Sequence, residues 1–161
     1  MKFTKRIITN QVLNLSDADF SEGEIILIDK PSGPTSFQIV SKIRKITGVK
    51  KVGHSGTLDP KASGLMIVCT GKKTKEMDSF INLNKTYTGI IRLGLTSPSM
   101  DNETECTELP LPKDLDKKKI FEIRDSFLGE IEQIPPMYSA VKINGKKLYN
   151  LARKGKSIIR E

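Results

Sequence analysis

The central stretch of the chain reads VGHSGTLDPKASG over residues 52–64. It contains the chain's single histidine, His54, and one carboxylate, Asp59, together with three glycines and a proline. Glycine permits positive φ values and close backbone approach, while Pro60 fixes its own φ and moves Asp59 away from helical geometry. The apolar run LMIVC at residues 65–69 follows at once and predicts a buried strand. We therefore expect Asp59 to lie on a rigid loop anchored to a sheet, as nucleophilic or acid–base chemistry requires. Asp59 could equally make a plain Asx turn or cap a helix, and the loop alone leaves this alternative open.

The composition is typical of a globular protein. The chain has 161 residues, of which 37% are hydrophobic and 29% charged, and this length suits a single domain with a sizeable core. No apolar run approaches the roughly 20 residues of a transmembrane helix, and none forms a signal-peptide core, so we expect a cytoplasmic protein. Cys69 and Cys106 lack the close partner of a metal or redox motif and are expected to be free thiols.

The charge balance favours a polyanionic partner. Lys and Arg together number 27 against 19 Asp and Glu, which gives a formal net charge of +8. Basic residues cluster at 42–51, 72–75 and 142–153, whereas 101–108 is acidic. Such a distribution predicts a basic face that could bind nucleic acid, but lysine-rich segments that are simply solvated would give the same pattern.

Periodicity divides the chain into short strands and helices. Residues 1–22 lack clear periodicity and are interpreted as an extended or partly ordered lead-in. Strands are predicted at 24–29, 65–69, 85–95, 130–134 and 138–143. Helices are predicted from a cap at Thr35 or Ser36 to Gly48, over 72–81, from a cap at Asp116 to Gly129, and over 146–154.

The connections follow from the turn residues. A long loop is predicted over 96–112 and a tight turn at Asn144-Gly145. Residues 157–161 begin another apparent strand, so we expect the chain to be a piece of a longer protein. The pattern alone leaves parallel and antiparallel sheets equally open.

A family resemblance is carried by five motifs that follow one another in order. They are KPSG at 30–33, GHSGTLDP at 53–60, KTY at 85–87, RLG at 92–94 and PMYSA at 136–140. In this order and spacing they resemble the TruB family of tRNA pseudouridine synthases, from about residue 23 to the end of the chain. The resemblance implies an α/β (α+β) fold with a mixed, largely antiparallel sheet flanked by helices. It also implies that 23–161 is the N-terminal portion of a catalytic domain, without a complete second domain.

The resemblance implies a reaction and one catalytic residue. The family isomerises a uridine in the T-loop of tRNA to pseudouridine, with neither cofactor nor metal, and its catalytic aspartate corresponds to Asp59. An ionised carboxylate could attack the sugar or the base or remove a sugar proton, and the sequence leaves these roles open.

The remaining site residues are also implied by the resemblance. Tyr87 resembles the family tyrosine that stacks on the flipped base, and His54 resembles a residue that reaches into the T-loop. Each could instead have a purely structural role, Tyr87 packed on a strand and His54 bonded to its own backbone. Lys30 and Pro31 resemble a motif that supports the wall of the active site. Gly56 and Leu58 are expected to support the site as well, and Leu58 and Leu65 could exclude water.

Further predictions concern the partners. Lys142, Lys146 and Lys147 are candidate phosphate contacts, with simple solvation as the alternative. The implied partner is the T-arm stem-loop of tRNA, bound by a monomer that needs no metal or membrane. A hydrolytic zinc site is disfavoured, since one histidine and no close cysteine pair cannot build it.

One implied partner of Asp59 lies outside the sequence. The family supplies an arginine beyond the position of Glu161 that keeps the aspartate charged and placed, so the 161-residue chain alone is expected to be weakly active or inactive. Two alternatives to this enzyme stay open, a non-catalytic RNA-binding or RNA-folding module and a synthase acting on a guided or different RNA.

Overall fold

The structure is a computed structural model that describes residues 7–11 and 15–159. The chain divides into two compact units, Met1–Tyr87 and Thr88–Glu161. The first unit contains a four-stranded sheet with strand order β1-β2-β4-β3. Its strands β1 to β4 are Ile7–Ile8, Ile25–Lys30, Val52–His54 and Gly64–Thr70.

The sheet is mixed and largely antiparallel. β4 pairs antiparallel with β2, from Ile25 opposite Cys69 to Lys30 opposite Gly64, and also antiparallel with β3. The predicted lead-in contributes β1, which pairs parallel with β2. The mixed, largely antiparallel arrangement expected from the resemblance is therefore confirmed.

Both faces of this sheet are covered by helices. Ile26 and Val68 pack on one face with Val40 of helix α1, which is Ser36–Thr47. On the other face, Ile25 and Cys69 pack with Phe80, which lies in helix α2, Met77–Ile81. Burial on both faces explains why β4 reads as a continuous apolar run instead of an alternating one.

The ends of α1 follow the sequence prediction. The Thr35 side chain accepts a hydrogen bond from the backbone N–H of Gln38 at 3.1 Å, and the Gln38 side chain accepts one from the Thr35 N–H at 2.7 Å. Gly48 ends the helix with a φ of 70°, a conformation that favours glycine. The predicted second helix begins differently, because Gly71–Glu76 forms a 3₁₀ segment before α2.

Both cysteines are free thiols, as expected. Cys69 is fully buried, and burial raises the pKa of its thiol to about 11, so it stays protonated near neutral pH. Among the described residues, no helix has the length and apolar content needed to cross a membrane.

The second unit contains two short hairpins and two helices. These are β5 at Leu95–Thr96 with β6 at Thr107–Glu108, α3 at Lys117–Asp125, β7 at Lys142–Ile143 with β8 at Lys146–Lys147, and α4 at Leu148–Ala152. Asp116 caps α3 through the Lys119 N–H, and the predicted turn joins β7 to β8, with φ of 50° at Asn144 and 75° at Gly145.

Two predicted strands are wrong. Only Leu95 of the predicted strand 85–95 is in a strand, and 130–134 is irregular. Ile90 is completely exposed and Ile91 nearly so. Alternation of apolar and polar side chains shows that a segment would fit a pleated, half-buried surface. A strand also needs a neighbouring strand to which its backbone groups can hydrogen-bond, and alternation does not supply one. The described residues 84–92 have no such neighbour.

Candidate active site

The candidate site is the loop between β3 and β4, residues 55–63, which we call the Asp59 loop. It is anchored at both ends by β4, because the Ser55 N–H donates to the Ile67 carbonyl and Gly64 begins the strand. Within the loop, the Ala62 N–H donates to the Asp59 carbonyl at 3.1 Å. This closes a turn whose second residue is Pro60, the position at which proline favours turns.

Lys30 holds the loop on the C-terminal side of Asp59. The Lys30 side chain is fully buried, and its Nζ donates to the carbonyls of Pro31 at 3.0 Å, Pro60 at 3.2 Å and Ala62 at 2.7 Å. Three acceptors match the three hydrogens of an ammonium group. The last residue of β2 therefore fixes the backbone that follows Asp59.

The segment between β2 and α1, residues 31–35, adds two further bonds to the same stretch. The Gly33 N–H donates to the Pro60 carbonyl at 2.7 Å, and the Ser32 hydroxyl donates to the Lys61 carbonyl at 3.0 Å. The KPSG and LDP motifs are thus neighbours in space, although about 30 residues separate them.

Ser36 holds the loop on the N-terminal side of Asp59. Its hydroxyl accepts from the Leu58 N–H at 2.9 Å and donates to the Leu58 carbonyl at 3.0 Å. The sequence predicts a helix cap at Thr35 or Ser36, but it does not predict this contact. The available signal was that two hydroxyl residues, Thr35 and Ser36, stand where one cap is needed.

The Asp59 carboxylate itself is exposed. Across residues 7–11 and 15–159 it has no hydrogen bond or ion pair. The Asx turn and helix cap that sequence analysis left open both require this carboxylate to accept a backbone N–H. In the described structure the main chain around Asp59 is fixed, whereas its carboxylate is available.

His54 bonds to its own loop, which was the structural alternative considered for it. Its Nδ1 lies 2.6 Å from the Gly56 carbonyl oxygen and 3.4 Å from the Gly56 nitrogen. A carbonyl oxygen can only accept, so the short contact makes Nδ1 the protonated nitrogen. Gly56 thus orients the imidazole, and Nε2 remains available for another partner.

The apolar side chains expected to exclude water from the site are not fully buried. Leu58 is half-buried, but Leu65 is 65% exposed. Tyr87, the last residue of the first unit, is 72% exposed in an irregular segment instead of the predicted strand. Lys30, Leu58 and Asp59 lie in one region that hydrogen bonds connect. Within the described residues, Tyr87 makes no hydrogen bond to that region.

The three candidate phosphate contacts lie together in the second unit, on the hairpin of residues 142–147, which we call the basic hairpin. Lys142 pairs directly opposite Lys147, an arrangement of like charges that is unfavourable without a counterion. The Lys147 Nζ also lies 5.4 Å from the centre of the Tyr149 ring. The described residues contain no group of three or more His, Cys, Asp or Glu side chains that could hold a metal ion.

Comparisons with known proteins indicate the same family as the resemblance does. A family model described as TruB family pseudouridylate synthase (N terminal domain) matches residues 44–161. The chain is 49% identical over 141 residues to "tRNA pseudouridine synthase B" of Oenococcus oeni, covering 85% of this chain and 46% of that protein. The corresponding protein of Phocaeicola vulgatus is 46% identical over 146 residues, covering 87% and 62%.

A solved structure extends the comparison to the fold. A chain in the crystal structure of a Cbf5-Nop10-Gar1 complex matches with a TM-score of 0.50 and 34% identity, covering 76% of this chain and 32% of that one. This chain spans about half the length of the curated relatives it matches.

Proposed function

We propose, from the premise that this chain belongs to the TruB family of pseudouridylate synthases, that it forms the N-terminal part of a tRNA pseudouridine synthase. Its relatives carry the name tRNA pseudouridine synthase B. Residues 23–161 would be the N-terminal portion of the catalytic domain, and the substrate would be a uridine in the T-loop of tRNA. The observation that carries the proposal is an exposed Asp59 carboxylate, without a partner among the described residues, on a main chain fixed from both sides.

The reaction is an isomerisation that needs one reactive carboxylate. The bond between N1 of uracil and C1′ of the sugar breaks, the base turns, and C5 joins C1′, while C5 loses a proton and N1 gains one. The Asp59 carboxylate begins this either as a nucleophile or as a base that removes a sugar proton. Its fixed backbone supports both, because each requires a defined distance to the sugar or the base.

The substrate base has to leave its stack to reach this carboxylate. Base-modifying enzymes extrude the nucleotide into a pocket, and stacking on an aromatic ring restores roughly 1–3 kcal/mol per base. Tyr87 is our candidate for that ring, and its exposure leaves the ring face free for a base. His54, whose imidazole is oriented by Gly56, is the candidate that stacks with displaced T-loop bases.

We infer that this region works together with more protein, since the chain spans about half the length of its relatives. The exposed Leu65 would help exclude water from the detached base only when covered by RNA or by another segment. Asp59 has no cationic partner among residues 7–11 and 15–159. We therefore expect weak or no turnover by the 161-residue chain alone. We also propose that the protein is a cytoplasmic monomer that binds tRNA and uses no metal or cofactor.

Position-resolved mapping of pseudouridine tests this proposal. An unmodified tRNA transcript is incubated with a chain extended past Glu161 to the length of its relatives. Pseudouridine is expected at one T-loop uridine, and it should be absent from a transcript that has cytidine at that position. Pseudouridine only in another RNA would favour the guided or different substrate, and RNA binding without pseudouridine would favour a non-catalytic module.

The basic hairpin is expected to bind phosphates. Changing Lys142, Lys146 and Lys147 to Gln should weaken tRNA binding, because each phosphate contact contributes about 0.9 to the slope of log K against log salt concentration. The slope should therefore decrease in magnitude by about 2–3 in a salt titration.

A matched variant controls for net charge. Lys117, Lys118 and Lys119 of α3 are exposed in the same unit, and changing them to Gln removes the same charge. This control should leave the slope nearly unchanged. Equal slopes for the two triple variants would show that only overall charge matters and would contradict a phosphate contact at the hairpin.

A further inference from the structure

We propose that Ser36 is a positioning residue for the reaction, because it fixes the backbone on the N-terminal side of Asp59. This inference rests on the proposed function, in which Asp59 acts on the substrate. Ser36 is 2% exposed and stands 22 residues before Leu58 in the chain. Its side chain therefore lies within the protein, where it acts through Leu58 and has no need to touch the RNA.

The geometry of the contact carries the inference. The Leu58 N–H belongs to the peptide plane before Leu58, and the Leu58 carbonyl belongs to the plane that continues into Asp59. The Ser36 oxygen bonds to both, at 2.9 and 3.0 Å. One oxygen thus ties the two planes on either side of the Leu58 Cα, which restrains φ and ψ of Leu58 together. The next atoms along the chain are the nitrogen and Cα of Asp59.

The Ser36 hydroxyl is not needed to cap the helix. Thr35 caps α1 through the Gln38 N–H, and the Gln38 side chain returns a bond to the Thr35 N–H. The hydroxyl of Ser36 is thereby free to bond elsewhere, and within the described residues it bonds only to Leu58. Its role in the structure is a connection between α1 and the Asp59 loop.

The connection joins Asp59 to the core. α1 packs into the sheet through Val40, which is 3% exposed. Movement of the Leu58 backbone would therefore break both bonds to an element that is itself held by core packing. Lys30 ties the carbonyls of Pro60 and Ala62 on the other side, so Ser36 is the complementary restraint. A misplacement of about 1 Å at a reacting group can reduce the rate about 10²-fold.

The test compares Ser36→Ala with Thr35→Ala in the extended chain. Ser36→Ala removes the bonds to Leu58 and should lower kcat about 10- to 100-fold with KM for tRNA changed less than about twofold. Thr35→Ala also removes one hydroxyl at the start of α1, but it removes the cap and leaves the Leu58 contact, so its kcat should stay near the wild-type value. Ser36→Thr keeps a hydroxyl and should recover most of the lost kcat.

Hydrogen exchange gives a readout that is independent of activity. The Leu58 amide should exchange faster in Ser36→Ala, while that of Val40 in the helix stays protected. If Ser36→Ala does not fold, Ser36→Cys weakens both bonds at similar volume and takes its place in both measurements. Wild-type kcat in the Ser36 variant, or an equal loss in Thr35→Ala, would overturn the inference. Activity retained in Asp59→Asn would contradict the proposed function itself and not only the inference about Ser36.

Discussion

Asp59→Asn is expected to lower pseudouridine formation at least about 10³-fold while tRNA affinity changes less than about twofold, because it removes the reactive group and keeps its shape. The amide of asparagine carries no negative charge and neither attacks carbon nor removes a proton. The Asp59 carboxylate is exposed and unpartnered in the described residues. We therefore also expect the free energy of unfolding to change by less than about 0.5 kcal/mol.

The measurements are single-turnover pseudouridine formation, tRNA binding and chemical denaturation of the same extended chain. Asp29→Asn is the matched control, because Asp29 is an exposed aspartate of β2 in the same unit. It makes the same change in charge and should retain turnover. Undiminished turnover in Asp59→Asn would show that the Asp59 carboxylate takes no part in the reaction. A loss of affinity equal to the loss of turnover would mean that Asp59 binds RNA and does not react with it.

The sequence predicted correctly those elements that depend on interactions between residues close together in the chain. α1 begins after Thr35 and ends before Gly48, because a capping side chain and a residue with positive φ each act within one helical turn. Asn144 and Gly145 form their turn for the same kind of reason. The strand at 85–95 failed because a strand needs a partner, and the alternation of side chains does not identify one. The mixed, largely antiparallel sheet flanked by helices followed from the family resemblance, since periodicity left the sheet direction open.

The hydrogen bonds of the candidate site illustrate the same limit over longer distances. The resemblance implied that Lys30 supports the active site, but no sequence pattern states which carbonyls its ammonium group meets. Those of Pro60 and Ala62 lie 30 and 32 residues away. The contact of Ser36 with Leu58 was missed, because a second hydroxyl beside a capping threonine indicates a spare hydrogen-bonding group but does not identify the residue to which it bonds. The roles of His54 and Tyr87 in RNA binding stay predictions.

Lys30→Met is expected to lower the free energy of unfolding by about 3 kcal/mol, because it removes three hydrogen bonds from a charged donor, each worth about 1.5–3 kcal/mol. The buried ammonium group loses several kcal/mol of hydration on folding, and an apolar side chain of similar length avoids that cost. The second effect offsets part of the first. The hydrogen bonds outweigh it here because all three hydrogens of the ammonium group have carbonyl partners.

The Ala62 carbonyl determines where the Asp59 loop is most affected by Lys30→Met. The Pro60 carbonyl keeps the bond from the Gly33 N–H at 2.7 Å after the substitution, whereas the Ala62 carbonyl loses the bond from the Lys30 ammonium group. Ala62 is half-buried, so without this donor its carbonyl should turn to water as a partner, and the Asp59 loop should rearrange at this end instead of keeping its position. We therefore expect kcat to fall together with stability.

Urea denaturation and pseudouridine formation measure the two effects of Lys30→Met. Lys42→Met is the matched control, since Lys42 is an exposed lysine of α1, and it should change the free energy of unfolding by less than about 0.5 kcal/mol. Equal stability of Lys30→Met and Lys42→Met would mean that the desolvation cost of the ammonium group cancels its three bonds. If kcat also stayed at the wild-type level, Lys30 would have no part in placing Asp59, and the loop would be held by Ser36 and the 31–35 segment. A fall in kcat at unchanged stability would instead make Lys30 a positioning residue alone.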